Sequence, residues 1–253
     1  MPDARTLLLV DDDAATRELL TLLLTHAGWE VTTVTDGETA LQTLEDTTPN
    51  VILCDLQMPG LCGTALAEAV RERTTTPVLL AMTATVLPAT PCGFDALLIK
   101  PFGPEAVAHH YGAVLGHVAA DPIHEPLPED SIAVLDAATL ASLRKSMPLD
   151  RVVALLSFVV DDADTRIARM RSAADTGDEM TFRREAHALK GGCAMVGARR
   201  LAQLAADAEV LGLTEGTLTG WKSLSDFVTE MGQIRLMLKT LPFGDTRPAG
   251  HDQ

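Results

Sequence analysis

Five polar side chains in the first half of the chain lie at or just after the ends of short apolar segments. Asp11 and Asp12 follow TLLLV, Asp55 follows VILC, Thr83 ends PVLLAMT, and Lys100 ends ALLIK. If these segments are parallel strands, their carboxyl ends gather at one sheet edge and bring the five side chains together. Three neighbouring carboxylates repel one another and attract a cation, and oxygen-only ligands suit Mg²⁺. With Lys100 and the Thr83 hydroxyl beside it, Asp55 is the candidate nucleophile for a phosphoryl group.

A second candidate centre, His187, lies in a helical pattern in the second half. Apolar residues at helical spacing predict the buried face of this helix: Phe182, Ala186, Leu189, Cys193 and Val196. His187 points about 140° away from that face, which predicts an exposed imidazole. Arg183 lies one turn before it, Lys190 three residues after it, and Gly191 one turn after it. Bare backbone and positive charge around an exposed histidine favour close docking of another domain and a phosphoryl group on a ring nitrogen. The helix offers no second acid or serine as a catalytic partner, which argues against a hydrolase.

The elements that must position these residues differ between the two halves. Alternating strand and helix patterns predict the α/β class for the first half, with a doubly wound, five-stranded parallel sheet. Its strands are predicted at 6–10, 29–34, 51–54, 77–83 and 96–100. From residue 131 on, amphipathic helices with short breaks predict an all-α antiparallel four-helix bundle. Its helices are predicted at 136–146, 149–174, 178–196, 198–211 and 218–241. The expected organisation is a first domain at 1–120, a Pro- and acid-rich linker at 121–130, a bundle at 131–241 and a disordered tail at 242–253.

Composition narrows the functional classes. A net charge of −15 argues against nucleic acid as a partner. The first residues do not form a secretory signal, and no apolar stretch reaches the length of a membrane span. The four cysteines fall in no metal-ligand spacing, and Cys54 and Cys193 lie inside apolar patterns as buried free thiols. A cytoplasmic location with no membrane partner is therefore expected.

The strand-end motifs VDDD, DLQMPG, MTA and KPF, in this order, resemble the receiver domain of two-component response regulators. The resemblance covers residues 5–119. It implies that Asp55 is the phosphoacceptor and that Mg²⁺ is the cofactor. The supporting residues that it implies are Asp11, Asp12, Asp55 and the backbone carbonyl of Gln57 as metal ligands, with Thr83, Ala84 and Lys100 at the phosphoryl group.

Two features depart from that family. Leu97 stands where receivers usually have an aromatic switch residue, three positions before Lys100. The segment 84–99 is shorter than usual and carries Pro88 and Pro91, which oppose a helix interior. The fourth receiver helix is therefore predicted to be short, bent or missing. We expect no signalling through the usual aromatic-switch dimer.

The string AHALKGGCAMVGARRLAQLAADAE at 186–209 resembles the signature of histidine-phosphotransfer (HPt) domains, and the resemblance spans residues 132–241. It implies that His187 is the phosphohistidine, that Lys190 supports the phosphate, and that Gly191 gives a receiver room to approach. Arg183 and Arg184 are added as accessory contacts by inference.

The two resemblances together predict a phosphorelay protein that passes a phosphoryl group between Asp55 and His187. A sensor or hybrid histidine kinase is the expected phosphodonor and another response-regulator receiver the expected acceptor. No Gly-rich nucleotide loop or ATP-binding kinase domain is evident. Because the linker leaves the receiver far from Asp55 and spans only about 30 Å, transfer is expected between molecules, or after a large rearrangement.

Other interpretations remain open at this point. The chain can act as a phosphate sink, with His187 serving a different pathway. The receiver can act as a non-catalytic gate that controls access to His187. The chain can also be the C-terminal part of a hybrid kinase, although its starting Met and charged leader weigh against that. A metal site at His109, His110 and His117 lacks any accompanying carboxylate or cysteine, so surface positions are expected for these residues.

Overall fold

The computed structural model describes residues 5–85, 87–100, 102–116, 135–213 and 222–240. The predicted linker at 121–130 and the predicted tail at 242–253 lie outside these ranges.

The first domain is built on a five-stranded parallel sheet with the order β2-β1-β3-β4-β5. Its strands are β1 (Arg5–Val10), β2 (Trp29–Val34), β3 (Val51–Asp55), β4 (Val78–Thr83) and β5 (Ala96–Ile99). The central strands β3 and β4 are buried along their whole length, as expected for continuous apolar runs covered on both faces. The predicted α/β fold is therefore confirmed, with each strand within one residue of its predicted bounds.

Four helices accompany this sheet: α1 (Ala14–His26), α2 (Gly37–Asp46), α3 (Gly63–Arg73) and α4 (Pro104–Val114). Aspartates cap the first two. Asp13 Oδ1 accepts a hydrogen bond of 2.8 Å from Thr16 N, and Asp36 Oδ1 accepts one of 2.7 Å from Thr39 N. The cap at Asp13 fixes where α1 begins, directly after Asp11 and Asp12.

No helix lies between β4 and β5 in the described residues of that segment, 84, 85 and 87–95. Arg71 on α3 holds the loop that replaces it. Its guanidinium donates to the carbonyls of Pro77 at 3.0 Å and Gly93 at 3.3 Å, and it pairs with Asp95 at 2.5 Å. The prediction of a short, bent or missing fourth receiver helix agrees with this loop.

The second domain consists of α5 (Ala137–Ser146), α6 (Leu149–Thr176), α7 (Glu179–Met195), α8 (Arg199–Leu211) and α9 (Lys222–Thr240). Gly177 ends α6 in the left-handed region, at φ 71°, which glycine adopts without steric cost. The pairs α6–α7, α7–α8, α8–α9 and α6–α9 pack against one another and enclose Phe227, which is fully buried. The helical bundle predicted for this half is therefore confirmed.

The two domains pack against each other in this structure. Helix α1 of the first domain lies on α6 and α7 of the bundle. One hydrophobic cluster includes core residues of both domains, such as Leu7 in β1 and Leu156 in α6. The expectation that the linker keeps the two chemical centres apart is therefore wrong, because helix packing brings the bundle to the carboxyl edge of the sheet.

Candidate functional site

The residues predicted at the strand ends do gather at one edge of the sheet, in a site that we call the aspartate pocket (Asp11, Asp12, Asp55, Thr83 and Lys100). The Lys100 ammonium lies 2.7 Å from Asp55 Oδ2 and 3.2 Å from Asp11 Oδ2. All three side chains are nearly buried, and Asp55 retains only 5% of its surface. Lys100 thus neutralises the carboxylate predicted to carry the phosphoryl group.

Backbone groups fix the orientation of the pocket. Gln57 N donates a hydrogen bond of 2.8 Å to Asp55 Oδ1, so the residue predicted as a carbonyl ligand also positions the acceptor carboxylate. The Thr83 hydroxyl oxygen accepts a hydrogen bond of 3.1 Å from Thr85 N. Ala84 follows at the strand end and is half-buried. The contacts of Thr83, Ala84 and Lys100 with a phosphoryl group remain a prediction.

Burial and the neighbouring charges shift the pKa values of the ionisable side chains in the aspartate pocket. Burial, with the nearby Asp55 charge, raises the pKa of Asp11 well above its usual range, although Lys100 opposes the shift. Burial and the Asp55 charge also raise the pKa of Asp12. Burial works against the charged form of Lys100, but the Asp11 and Asp55 carboxylates outweigh it and raise the lysine pKa. The pocket therefore holds more negative charge than one lysine compensates.

This surplus charge and the oxygen-only donor set fit a hard divalent cation such as Mg²⁺. Within the described ranges, however, no three His, Cys, Asp or Glu side chains are arranged as a ready metal site. The Lys100 ammonium lies between Asp11 and Asp55 and takes part of that role. Metal binding at Asp11, Asp12, Asp55 and Gln57 therefore remains a prediction.

His187 lies on α7, and its imidazole is 20% exposed. It is half-buried rather than fully exposed as predicted, because Nδ1 lies 2.8 Å from Glu209 Oε1 on the neighbouring helix α8. The ring is nevertheless outside the hydrophobic core, whose α7 face carries Ala186, Leu189 and Cys193. The imidazole is thus partly accessible to solvent, while its Nδ1 atom contacts Glu209.

Glu209 is the functional partner that helix-by-helix reading of the sequence missed. Burial opposes its ionisation, but hydrogen bonds from His187 and Lys190 outweigh that cost and lower the Glu209 pKa to about 2. An ionised carboxylate only accepts hydrogen bonds, so Nδ1 of His187 donates to Glu209, and Nε2 is the ring nitrogen outside this hydrogen bond. The signal was present in the sequence, because Glu209 closes the 186–209 string.

Two of the basic residues predicted around His187, Lys190 and Arg183, contact the neighbouring helix α8. Lys190 Nζ donates a hydrogen bond of 2.7 Å to Glu209 Oε2. Arg183 pairs with Glu179 at 2.5 Å and donates to the backbone carbonyls of Glu209 and Val210. Both side chains therefore tie α7 to α8 and hold Glu209 against the imidazole.

The aspartate pocket faces the His187 helix across the domain interface. A Cβ atom placed on Gly191 would lie 3.8 Å from Lys100 Cδ. Arg166 on α6 pairs with Asp13 at 2.5 Å, and the charge of Arg184 on α7 acts to lower the pKa of Asp12. Gly191 and Arg166 thus both lie against the first domain close to the aspartate pocket.

The remaining candidates lie apart from this centre. His109 and His110 are half-buried rather than at the surface, and their rings make an edge contact at 5.5 Å. His109 Nδ1 is buried without a hydrogen-bond partner in the described part of the protein, and His117 lies outside that part. Cys54 and Cys193 are buried free thiols as predicted, and burial raises the pKa of Cys193 to about 12.

The ion pairs of Glu209 predict a pH-dependent contribution to stability. Because its pKa falls from 4.5 in the unfolded chain to about 2 in the folded one, the stabilisation is complete above pH 4.5 and is lost as pH falls through 2. Because solvent screens this partly exposed carboxylate, we expect Glu209→Gln to lower the free energy of unfolding by about 1–2 kcal/mol at pH 7 and by less than about 1 kcal/mol at pH 3. Urea unfolding of both proteins at the two pH values measures this. An equal loss at both values would contradict the assignment.

Family comparisons agree with the two centres. Residues 7–111 match the model of the response regulator receiver domain, and residues 154–242 match the model of the Hpt domain. The chain is therefore a receiver domain joined to an Hpt domain. Both are domain types of two-component phosphorelay signalling. None of the helices in the described ranges is long and apolar enough to cross a bilayer.

Individual relatives match the chain only in part. A probable transcriptional regulator ycf27 of Guillardia theta is 32% identical over 112 residues, covering 43% of this chain and 44% of that protein. A putative response regulator structure from Chloroflexus aurantiacus is 33% identical, covers 45% of this chain and 99% of its own, and has a TM-score of 0.41. The receiver domain of a Pseudomonas aeruginosa sensor histidine kinase, described with magnesium in its active site cleft, is 26% identical, with coverages of 45% and 98% and a TM-score of 0.40. The chain spans about half the length of the curated relatives it matches.

Proposed function

We propose that this protein passes a phosphoryl group between Asp55 and His187 of the same chain. The observation that carries the proposal is the approach of Lys100, which contacts Asp55, to Gly191, which lies one turn from His187. Positioning and charge neutralisation are most of what phosphoryl transfer asks of a protein. The Lys100–Asp55 ion pair and the approach of Gly191 to Lys100 support the proposal on both counts.

The transfer step follows from the groups at the interface. The Nε2 lone pair of His187 attacks phosphorus, a P–N bond forms, and the P–O bond to Asp55 breaks with its electrons left on the carboxylate. The proton on Nδ1 stays in place, so the phosphorylated ring becomes an imidazolium. Glu209 Oε1, at 2.8 Å from Nδ1, stabilises that positive charge. The reverse step uses the same groups.

The receiver side of the step depends on charge. Lys100 stays between Asp55 and the incoming phosphoryl oxygens, and Thr83 supplies a hydroxyl close to them. Mg²⁺, held by Asp11, Asp12, Asp55 and the carbonyl of Gln57, supplies charge neutralisation for the phosphoryl oxygens when it is bound. Once Asp55 is free again, Lys100 pairs with its carboxylate.

The partners proposed for this relay are a sensor or hybrid histidine kinase as donor and a separate response-regulator receiver as acceptor. A cytoplasmic location fits the four free cysteines and the proposed partners. The acidic chain, with a net charge of −15, does not suit nucleic acid. A second candidate function is a gate, in which the docked receiver controls access to His187. The 20% exposure of the imidazole in the docked state favours keeping this candidate.

Radiolabelled phosphotransfer separates the two functions. The chain, Asp55→Asn and His187→Gln are each tested for relaying label from a phosphorylated kinase to an added receiver. Loss of relayed label with both substitutions supports the relay, whereas loss with His187→Gln alone supports the gate.

In a separate single-turnover assay, Asp55 of the full chain is labelled with acetyl phosphate, and the transfer of label to His187 is followed. We expect a rate independent of protein concentration over about a hundredfold range, since linked sites react at a fixed effective concentration. A rate proportional to concentration would restore transfer between molecules.

A further inference from the structure

Arg166 is a buried charge at the contact between the two domains. It retains 5% of its surface, although it belongs to the bundle and pairs with the receiver. Its Nη2 lies 2.5 Å from Asp13 Oδ2, its Nε 2.6 Å from Asp162 Oδ2, and its Nη1 3.4 Å from Glu185 Oε2. Asp162 and Glu185 belong to the bundle, so they hold the guanidinium in place whether or not the receiver is docked. Arg166 is therefore a preorganised cation that offers one remaining edge to a receiver.

The receiver residue that contacts Arg166 is Asp13, which is also the N-cap of α1. Asp13 uses Oδ1 to cap α1 through Thr16 N and Oδ2 to bind Arg166. The cap fixes the carboxylate at the start of α1, beside the aspartate pocket. The same pair thus joins the start of α1 to α6. Close charge pairs removed from water couple strongly, and an unpaired partner left buried is costly.

Charge complementarity extends beyond this pair. Arg184, which contacts Glu185 at 3.6 Å, adds a second positive charge near Arg166, while the chain as a whole carries a net charge of −15. The bundle therefore presents positive charge where it meets the acidic edge of the receiver. A separate receiver with an acidic residue at the start of its first helix would meet the same surface. It would then compete with the chain's own receiver for it.

We propose that Arg166, held by Asp162 and Glu185, is the docking site for the acidic N-cap of a receiver's first helix, and that Asp13 of the same chain is its resident occupant. His187 passes phosphate to a separate receiver only after the Asp13–Arg166 pair opens. This inference rests on the proposed phosphotransfer function and deepens it, because it names the contact that divides phosphate between the chain's own receiver and other receivers.

The test introduces the same substitution, Asp13→Asn, into either of two proteins, a phosphate donor and a phosphate acceptor. The donor is the full chain carrying Asp55→Asn, loaded at His187 with phosphoramidate and desalted. The acceptor is the full chain carrying His187→Gln and Arg166→Gln, so that its own receiver is released and its Asp55 is intact. Asp13→Asn is then introduced into one partner at a time. Asparagine caps a helix as well as aspartate does, so the fold of α1 is preserved while the charge is lost.

Opposite effects are expected from the same substitution. In the donor, Asp13→Asn frees Arg166 and raises the rate of transfer roughly tenfold. In the acceptor, it removes the carboxylate that Arg166 binds and lowers the rate roughly tenfold. Asp36→Asn, at the matching cap of α2, is the control for loss of an N-cap charge. Acceptor rates are normalised to the label that Asp55 takes from acetyl phosphate. Equal rates for Asp13→Asn and Asp36→Asn, or changes of the same sign in both partners, overturn the inference.

Small-angle X-ray scattering separates this inference from the proposed function. Asp13→Asn and Arg166→Gln should each increase the radius of gyration of the full chain, and the double variant should add little beyond either single change. Arg169→Gln is the matched control, because Arg169 is 59% exposed and contacts Glu185 at 3.7 Å. If His187 takes no phosphate at all, the proposed function fails and the scattering result alone decides the docking contact. An unchanged radius in both variants overturns it.

Discussion

Replacing Gly191 by leucine is expected to slow phosphoryl transfer between Asp55 and His187 by about a hundredfold. A Cβ atom at Gly191 reaches ordinary contact distance from Lys100 Cδ, at 3.8 Å, so the atoms beyond Cβ must displace either Lys100 or the whole receiver. Lys100 is nearly buried and pairs with Asp55 and Asp11, which leaves it little freedom to move. Displacing the receiver by one ångström is enough to take His187 out of line with the phosphoryl group.

Two matched variants show whether the effect is steric. Gly191→Ala adds only the Cβ atom, which the interface has room for, and alanine improves the helix by about 1 kcal/mol. We expect its transfer rate to stay within about threefold of the parent. Gly192→Leu adds the same side chain one position later, where a Cβ atom meets nothing within 4 Å. It should also leave the rate nearly unchanged.

The measurement is the single-turnover rate from labelled Asp55 to His187, with direct phosphoramidate labelling of His187 as a second readout. Gly191→Leu should still accept phosphate from this small donor, because the substitution acts on docking and not on the imidazole. A Gly191→Leu chain that transfers as fast as Gly192→Leu would mean that the docked arrangement is not the reactive one.

The receiver fold could be predicted closely because its signals are local. The buried strand 51–54 ends at Asp55, and the strand that ends at Thr83 begins within one residue of its predicted start. Parallel strands share one carboxyl edge, so the aspartate pocket follows from strand order alone. Asp13 and Asp136, which begin α1 and α5, are typical capping residues in front of apolar helical patterns.

The docking of the domains could not be predicted in the same way. Asp13 and Arg166 are 153 residues apart in the sequence, and neither belongs to a motif for the other. The composition of the linker predicts an extended spacer, and its reach alone does not show which surfaces of the two domains pack together. The surface that decides the geometry is instead formed by α1, α6 and α7. The hydrophobic pattern of a helix predicts which face is buried, but it does not show which helix of another domain packs on that face.

The contact between Glu209 and His187 is likewise not encoded in the pattern of one helix. Within α7, only residues three or four positions away share a face with His187. The partner comes from α8, and the antiparallel packing of α7 and α8 places it there. The HPt resemblance implies that Lys190 supports the phosphate, and in the structure its ammonium binds Glu209 at 2.7 Å.

Glu209→Gln is expected to reduce the rate of His187 phosphorylation by Asp55 by about a hundredfold or more. Glutamine keeps a carbonyl oxygen that can accept from Nδ1, but it cannot stabilise the positive imidazolium formed when Nε2 takes the phosphoryl group. It can also present its amide group to Nδ1, which selects the tautomer with the proton on Nε2 and removes the nucleophile. Both effects act on the chemical step rather than on docking.

Lys190→Gln is the matched comparison, because it removes the other partner of the same carboxylate and leaves the negative charge beside His187. We expect its rate to fall by less than about tenfold, since Glu209 remains ionised with one hydrogen bond fewer. The two variants are compared in single-turnover transfer across pH 5 to 8, with the radius of gyration as a check on docking. If Glu209 only braces α7 against α8, both substitutions will lower the rate by similar factors. A larger loss with Glu209→Gln, at an unchanged radius of gyration, would show that the Glu209 carboxylate stabilises the positive charge of the imidazolium. Lys190 carries a positive charge itself and cannot stabilise the imidazolium directly.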